Sequence, residues 1–263
     1  MALSLRHTKL RPIGRLVFAN AKGELPRLGC APLGHLGGLV IDFATALYSQ
    51  IDDPTLSIVL RGSLARGGRS PADIDLMLIS QKRPVLPSLK TLPQLPLDVE
   101  LGLVSLERFR DSARGAWPRF ALAYSGWNIA GPDKLRELPE PRMGPAVIAH
   151  LRGVKRWWPL YPLDWAVGEA ERRQINGWLA KRIIRALAEG EMVRRGVYSR
   201  DIWPCLQLAV LAFPKHANLL VQIAEQAIFP SGKFVNRVNL LAASPLLERA
   251  HAIHLNRQIK LPY

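Results

Sequence analysis

The sequence predicts an α+β fold, with strands and helices in the first half of the chain and helices alone in the second. Short apolar runs rich in β-branched residues, bounded by turn residues, recur in the first half. Residues 137–145 contain three prolines and a glycine, a composition typical of an interdomain linker. Beyond this segment nearly all of the sequence has helical spacing. We therefore expect two domains, residues 1–140 and residues 145–263.

In the first half, each element follows from apolar spacing and turn residues. Apolar side chains three and four positions apart in residues 33–51 predict an amphipathic helix. A second helix is predicted from Ser105 to about Tyr124, with a break at Pro118 because proline removes a hydrogen bond of the helix interior. Strands are predicted at residues 56–63, 73–80 and 97–105, and a fourth strand with a turn at residues 126–133.

The second half is dominated by one long predicted helix, residues 169–195. One stripe of this helix is apolar at four-residue steps, so it has to pack against another apolar surface. A neighbouring stripe, which we call the basic ridge, combines cations with an aromatic side chain. The apolar stripe consists of Ile175, Leu179, Ile183 and Leu187, and the basic ridge of Trp178, Lys181, Arg182 and Arg185.

Charge and composition limit the partners. The chain of 263 residues has a formal net charge of +15, which favours anionic partners such as nucleoside triphosphates or RNA and disfavours a polycationic substrate. Its longest apolar stretches, such as residues 206–213, are too short to cross a bilayer. The two cysteines, Cys30 and Cys205, fit no metal-ligand or redox spacing. We therefore expect a cytoplasmic protein with reduced thiols, no membrane-spanning helix and no membrane partner.

A pair of carboxylates lies within an otherwise apolar run. In a strand, Asp73 and Asp75 share one face while Ile74 and Leu76 share the other. The two aspartates are about 7 Å apart at the backbone, so their carboxylates can converge on Mg²⁺, which prefers oxygen ligands. Such a pair is costly in an apolar strand unless a cation binds there. The pattern therefore predicts a metal site.

A Gly-Ser pair ends the strand that precedes the two aspartates. Gly62 allows the backbone to approach a ligand closely. Ser63 can donate hydrogen bonds from its amide and its hydroxyl as a short helix begins. The combination predicts a phosphate-binding turn that faces a metal site, an arrangement suited to phosphoryl or nucleotidyl transfer.

Residues 61–79, RGSLARGGRSPADIDLMLI, resemble the signature of the DNA polymerase β-like nucleotidyltransferase superfamily, in which a Gly-Ser pair is followed by Asp-x-Asp. They are similar in particular to small bacterial enzymes of the aminoglycoside adenylyltransferase type. The resemblance implies a small mixed sheet with flanking helices. It also implies a Mg²⁺-dependent transfer of a nucleoside monophosphate from a nucleoside triphosphate, with ATP as the expected donor. Asp73 and Asp75 would then bind metal, and Gly62 and Ser63 the β and γ phosphates.

The same resemblance implies a third carboxylate on the next strand, which either ligates metal or accepts the proton of the acceptor hydroxyl. In LDVELGLVS, residues 97–105, Asp98 and Glu100 share one face. We prefer Glu100, because related strands show one acid followed by several apolar or small residues before a helix cap. Asp98 stays an alternative. Arg66 and Arg200 are nucleotide-binding candidates by the same resemblance, with Arg200 as a triphosphate ligand.

The acceptor stays open between two classes. The resemblance slightly favours a small hydroxylated molecule, whereas the net charge and the basic ridge favour RNA, for example a tRNA. A non-catalytic interpretation, a regulatory or antitoxin-like binding module, also stays open. The number of subunits and the base that is transferred are not predicted.

Overall fold

The structure is a computed structural model that describes residues 9–28, 34, 36–67, 73–111, 116–159, 168–232 and 234–256. The chain divides into two compact units. Residues 24–142 form the first, which we call the sheet unit, and residues 1–23 with 143–263 form the second, which we call the helical unit. The division after residue 142 falls inside the segment predicted as a linker.

The described elements follow one another in chain order. From the N-terminus to the end of the sheet unit they are β1 (Val17–Phe18), α1 (Leu36–Ser49), β2 (Ser57–Leu60), α2 (Gly62–Ala65), β3 (Ile74–Ser80), β4 (Val99–Ser105), α3 (Leu106–Arg110), α4 (Ala116–Ser125) and β5 (Trp127–Ala130). They continue with α5 (Ala149–Trp157), α6 (Glu169–Arg195), β6 (Val197–Tyr198), α7 (Ile202–Ala212), α8 (Ala217–Ile228), α9 (Phe234–Leu241) and α10 (Ser244–Asn256).

The sheet unit contains a four-stranded mixed sheet in the order β4–β3–β2–β5. Strands β3 and β4 are parallel, whereas β2 is antiparallel to both of its neighbours. Each of the four predicted strand segments contains one of these strands, and α1 lies within the first predicted helix. The predicted α+β class, with a small mixed sheet and flanking helices, is therefore confirmed.

Apolar side chains cover both faces of this sheet. On one face, α1 packs against side chains of β2 and β3, including Val40, Phe43, Ile58, Leu76 and Leu78. On the other face, α3 and α4 pack against the alternate residues of the strands, including Met77, Ile79, Val104, Phe109 and Leu122. Asp75 precedes Met77 by two positions, so its side chain belongs to this second face. The sheet thereby presents its carboxylates beside an apolar cluster and on the face opposite α1.

The helix predicted from Ser105 to about Tyr124 is two helices, and the predicted break at Pro118 is wrong. Helix α3 ends at Arg110 because Asp111 has an extended backbone conformation. Pro118 is the third residue of α4. Proline is tolerated there because the first backbone N–H groups of a helix have no intrahelical acceptor.

In the helical unit, α6 packs against α5, α7 and α8. The predicted apolar stripe is confirmed: Leu179, Ile183 and Leu187 are buried and Ile175 is half-buried. The helix ends at Gly196, which has φ +63°, a left-handed conformation that favours glycine.

The N-terminal segment groups with the helical unit, although the sheet unit follows it in sequence. Strand β1 pairs antiparallel with β6, so the expectation of helices alone in the second half of the chain is wrong at Val197–Tyr198. The Arg15 N–H donates to Asp201 Oδ2 at 2.9 Å, and the Arg15 carbonyl accepts from Ser199 Oγ at 2.6 Å. The expected first domain, residues 1–140, thus differs from the sheet unit at its start. Local spacing gave no signal for this pairing, because the two strands lie far apart in sequence.

Cys205 is a buried free thiol, and burial raises its pKa to about 12, so it stays protonated at neutral pH. Cys30 lies outside the described residues. In the part of the chain that the structure describes, no helix combines the length and the apolar character needed to cross a membrane.

Candidate active site

Strand register brings two of the predicted carboxylates side by side. Asp75 on β3 is the register partner of Glu100 on β4. Register partners point to the same face, and neighbouring strands lie about 4.8 Å apart. Asp98 lies before β4, where its carbonyl accepts a hydrogen bond from the Ile74 N–H at 2.8 Å. Of the two acids on this segment, Glu100 is therefore the direct neighbour of Asp75.

Arg61, for which no role is predicted from the sequence, lies between these carboxylates. Arg61 Nη2 is 3.4 Å from Asp75 Oδ1 and 3.6 Å from Glu100 Oε1. The Arg61 N–H also donates to the Asp75 carbonyl at 3.0 Å, which continues the pairing of β2 with β3 beyond the end of β2. Because Arg61 is thereby opposite Asp75, its side chain points to the carboxylate face. This placement depends on the register of β2 with β3, so no local pattern in the sequence predicts it.

Exposure differs between the two acids. The Asp75 side chain is 20% exposed and the Glu100 side chain is 63% exposed. A Cβ atom at Gly102 would lie 3.0 Å from Met77 Cε and 3.6 Å from Arg61 Nη2, so the glycine leaves room for both side chains. Asp75 is thus the shielded partner of the pair, and Glu100 is the partner open to solvent.

Gly62 is required by the close approach of its backbone to Asp75. Its φ is +77°, and a Cβ atom at this position would overlap Asp75 Oδ2. Any residue type with a Cβ atom at position 62 would clash with Asp75 at this distance. The glycine of the Gly-Ser pair is therefore needed for the position of the second aspartate of Asp-x-Asp. Ser63 is half-buried and is the second residue of the short helix α2.

Arg66 contacts the turn itself. Its Nη1 donates to the Gly62 carbonyl at 2.7 Å, so this side chain supports the Gly-Ser turn from the far end of α2. The phosphate-binding role suggested by the resemblance stays a prediction for Arg66.

The donor chemistry of this face fits Mg²⁺, although the three predicted ligands do not form one cluster. Carboxylate oxygens are the ligands that Mg²⁺ prefers, and the contacts with Arg61 show that Asp75 and Glu100 both reach one cationic group. Among the described residues, no group of three His, Cys, Asp or Glu side chains is arranged to hold a metal ion. Asp73 is half-buried just before β3, and its carboxylate does not join the other two in such a group.

Arg200, the remaining candidate, belongs to the helical unit. Its carbonyl accepts hydrogen bonds from Arg185 Nε at 3.1 Å and Arg185 Nη2 at 3.0 Å. The charges of Arg200 and Arg185 also act on a buried pair, Glu189 and His150. Arg200 therefore belongs to a cationic cluster of its own unit.

Glu189, the buried carboxylate of that pair, has no role predicted from the sequence. Its Oε2 accepts from the Leu151 N–H at 2.7 Å and its Oε1 from the His150 N–H at 3.2 Å, which caps the first turn of α5. His150 Nδ1 is 2.6 Å from Glu189 Oε1. Burial raises the pKa of Glu189 to about 8, and burial with the nearby arginines lowers the pKa of His150 well below 6.5. The sequence does contain a signal for this buried carboxylate, because Glu189 lies in an alanine-rich segment two positions after Leu187 of the apolar stripe.

The basic ridge of α6 includes a stack of aromatic and cationic groups. Arg182 Cζ lies 3.8 Å from the ring centroid of Trp178 and 6.0 Å from that of Trp157 on α5. Trp178 is 46% exposed. Lys181 is half-buried, and the Arg185 guanidinium turns to the Arg200 carbonyl. The ridge is therefore most open to solvent at its tryptophan.

Comparison with known proteins returned no match to any protein-family model and no match to any curated protein.

Proposed function

We propose that the chain is a Mg²⁺-dependent nucleotidyltransferase. It would move a nucleoside monophosphate from a nucleoside triphosphate to a hydroxyl group, with ATP as the expected donor. The observation that carries the proposal is the pairing of Asp75 with Glu100 around one cation position, directly beside the Gly62 turn. Asp75 and Glu100 are the residues that would hold Mg²⁺, and Asp73, which lies just before β3, stays a prediction as the third ligand. When bound, the metal neutralises phosphate charge and lowers the pKa of a coordinated hydroxyl.

Residues of the chain supply the remaining steps of the proposal. The Gly62–Ser63 backbone approaches the triphosphate closely, and the Ser63 amide and hydroxyl donate to its oxygens. The acceptor oxygen attacks the α phosphorus, the bond between this phosphorus and the β-phosphate oxygen breaks, and pyrophosphate leaves. Glu100, whose carboxylate is the exposed one, accepts the proton of the acceptor hydroxyl.

Label transfer tests the proposal. Purified protein is incubated with Mg²⁺, each α-labelled nucleoside triphosphate and a fractionated cell extract, beside Asp75→Asn and a matched control, Asp98→Asn. We expect label in one acceptor fraction, lost in Asp75→Asn and retained in the control. If folded protein transfers no label to any fraction and binds no nucleoside triphosphate, the non-catalytic interpretation replaces this one.

The acceptor is expected to be a small hydroxylated molecule, by the resemblance of residues 61–79. RNA is the second candidate, and a specific observation favours it: Trp178 is exposed and its ring is stacked with Arg182. The neighbouring helix α5 adds exposed cations and no acidic residue. These cations are Arg152, Lys155 and Arg156. Aromatic platforms flanked by cations bind single-stranded nucleic acid.

The RNA alternative has its own test, binding of a labelled single-stranded RNA at two salt concentrations. If RNA is the partner, Trp178→Ala weakens binding about tenfold, and native affinity falls steeply with salt. Arg194→Gln is the matched control, because Arg194 is paired with Glu191 at the far end of α6. Equal binding by Trp178→Ala and native protein would remove the observation that favours RNA.

A further inference from the structure

Arg61 occupies the position at which a metal ion would have to bind Asp75 and Glu100 together. Its guanidinium is within 3.6 Å of an oxygen of each carboxylate. Without a cation between them, two carboxylates on neighbouring strands repel each other. The chain therefore carries its own counter-cation for this acidic pair.

We propose that Arg61 is a positioning residue that competes with the divalent cation: it holds Asp75 and Glu100 together before metal binds and has to withdraw when metal binds. This inference rests on the proposed function, because it assumes that the pair is a metal site. It adds a residue of opposite charge to that site and makes metal affinity depend on it.

The lengths of the Arg61 contacts indicate that the two carboxylates hold its guanidinium only loosely. Charge-assisted N–H···O hydrogen bonds are about 2.7–2.9 Å long, whereas the two Arg61 contacts are 3.4 and 3.6 Å. Arg61 Nε is buried and has no hydrogen-bond partner among the described residues. A buried donor without an acceptor is unfavourable, so this position of the guanidinium is stabilised mainly by the charges of the two acids.

The space around Arg61 and its position in the chain also allow its guanidinium to move away from the two carboxylates. Gly102 lies beneath the guanidinium and offers no side chain that would hold it in place. The Arg61 backbone directly precedes Gly62, at the turn where the phosphates of the proposed substrate would bind. A guanidinium released from the carboxylates therefore remains close to the incoming phosphate charge, which favours its change of partner.

Mn²⁺ binding in the absence of nucleotide tests the inference, by the paramagnetic signal of free Mn²⁺ during titration of the full chain. The variants are Arg61→Gln and Arg61→Met, which remove the charge with different shapes, and Arg61→Lys, which keeps it. We expect the two neutral variants to bind Mn²⁺ about tenfold more tightly at low ionic strength, and the lysine variant to resemble the native protein.

A second readout is thermal stability. Without metal, the neutral variants are expected to unfold at a lower temperature than the native protein, and saturating Mn²⁺ is expected to remove the difference. This recovery also shows that the variants fold.

The outcomes separate this inference from the proposed function. Equal or weaker Mn²⁺ binding by the folded neutral variants overturns the role of Arg61 while leaving the metal site in place. If neither native protein nor the neutral variants bind Mn²⁺, and Asp75→Asn behaves like native, the metal site itself fails, and the competition fails with it.

Discussion

At the scale of single residues, the turn at Gly62 and the carboxylate of Asp75 depend on each other. The positive φ of Gly62 and the overlap that a Cβ atom there would have with Asp75 Oδ2 leave no room for a side chain. Gly62→Ala is therefore expected to lower the free energy of unfolding by about 2 kcal/mol or more and to abolish label transfer. Urea denaturation and the transfer assay measure the two effects.

The matched control for this substitution is Gly38→Ala in α1. Among the described residues, a Cβ atom at Gly38 would have no neighbour within 4 Å, and alanine is a better helix former than glycine, so this variant should be at least as stable as the native protein. Native-like stability of Gly62→Ala would contradict the close approach described for Asp75.

Register distinguishes the two acids before and within β4. Because Glu100 is the register partner of Asp75, Glu100→Gln is expected to lower the rate of label transfer about 100-fold or more. Asp98→Asn should change the rate by less than about fivefold, because Asp98 precedes the strand and lies farther from Asp75. Initial rates at saturating nucleotide measure both. The reverse order of effects would assign the third carboxylate to Asp98.

The site was predictable where it depends on strand alternation and not where it depends on pairing between strands. Asp73, Asp75 and Glu100 follow from period-two spacing and from the resemblance of the motif. The neighbour relation of Asp75 to Glu100 requires the register of two parallel strands, which no local pattern contains. The contact of Arg61 with both acids requires that register and the antiparallel register of β2 with β3.

At the scale of elements, the buried carboxyl group of Glu189 links α6 to the first turn of α5 and makes the stability of the helical unit depend on pH. With the pKa of Glu189 raised to about 8 and that of His150 well below 6.5, the folded pair keeps one proton up to about pH 8. In the unfolded chain, the glutamate titrates near 4.5 and the histidine near 6.5.

The sign of the pH dependence follows from these proton counts. Just below pH 6.5 the folded and unfolded pairs each carry one proton, so the pair contributes no pH dependence there. Above 6.5 the unfolded pair loses its proton while the folded pair keeps it until about pH 8. We therefore expect the free energy of unfolding to fall by up to about 2 kcal/mol from pH 6.5 to pH 8.

Urea denaturation at pH 6 and pH 8, followed by helical circular dichroism, measures this difference. Glu189→Gln keeps an oxygen acceptor for the N–H groups of α5 and should abolish the difference. Glu191→Gln is the control, because the hydrogen bond with Arg194 lowers the pKa of Glu191 from 4.5, so this carboxyl group does not titrate between pH 6 and pH 8. A native protein equally stable at both pH values would disprove the assignment.

Among the elements, those with strong internal periodicity were predicted well. The strands of the sheet, α1 and α6 all lie within their predicted segments. The break was misplaced at Pro118 because a proline within a helical pattern can mean two things. It can interrupt a helix, or it can lie in the first turn of a new helix, as Pro118 does in α4. Only the extended backbone at Asp111, which has no strong signal in the sequence, decides between them.

At the scale of the whole molecule, the helical unit is discontinuous in sequence. Residues 9–23 contribute β1 and several backbone contacts to it, including the Ala19 N–H, which donates to the Gly196 carbonyl at 2.8 Å. Deletion of residues 1–20 should therefore increase amide hydrogen exchange at β6 and the start of α7 and leave the sheet unit unchanged. Exchange of the sheet-unit amides serves as the internal control, and uniform exchange across both units would contradict the division.

The discontinuity of the helical unit also has a consequence for protein synthesis. A ribosome makes the chain from its N-terminus, so the β1 segment is made before the sheet unit, and its partner, β6, is made only after the whole sheet unit. The sheet unit ends at residue 142, so it can fold while β6 has still to be made. The β1 segment thus gains its native partner long after it is made, and until then it is exposed to chaperones and proteases.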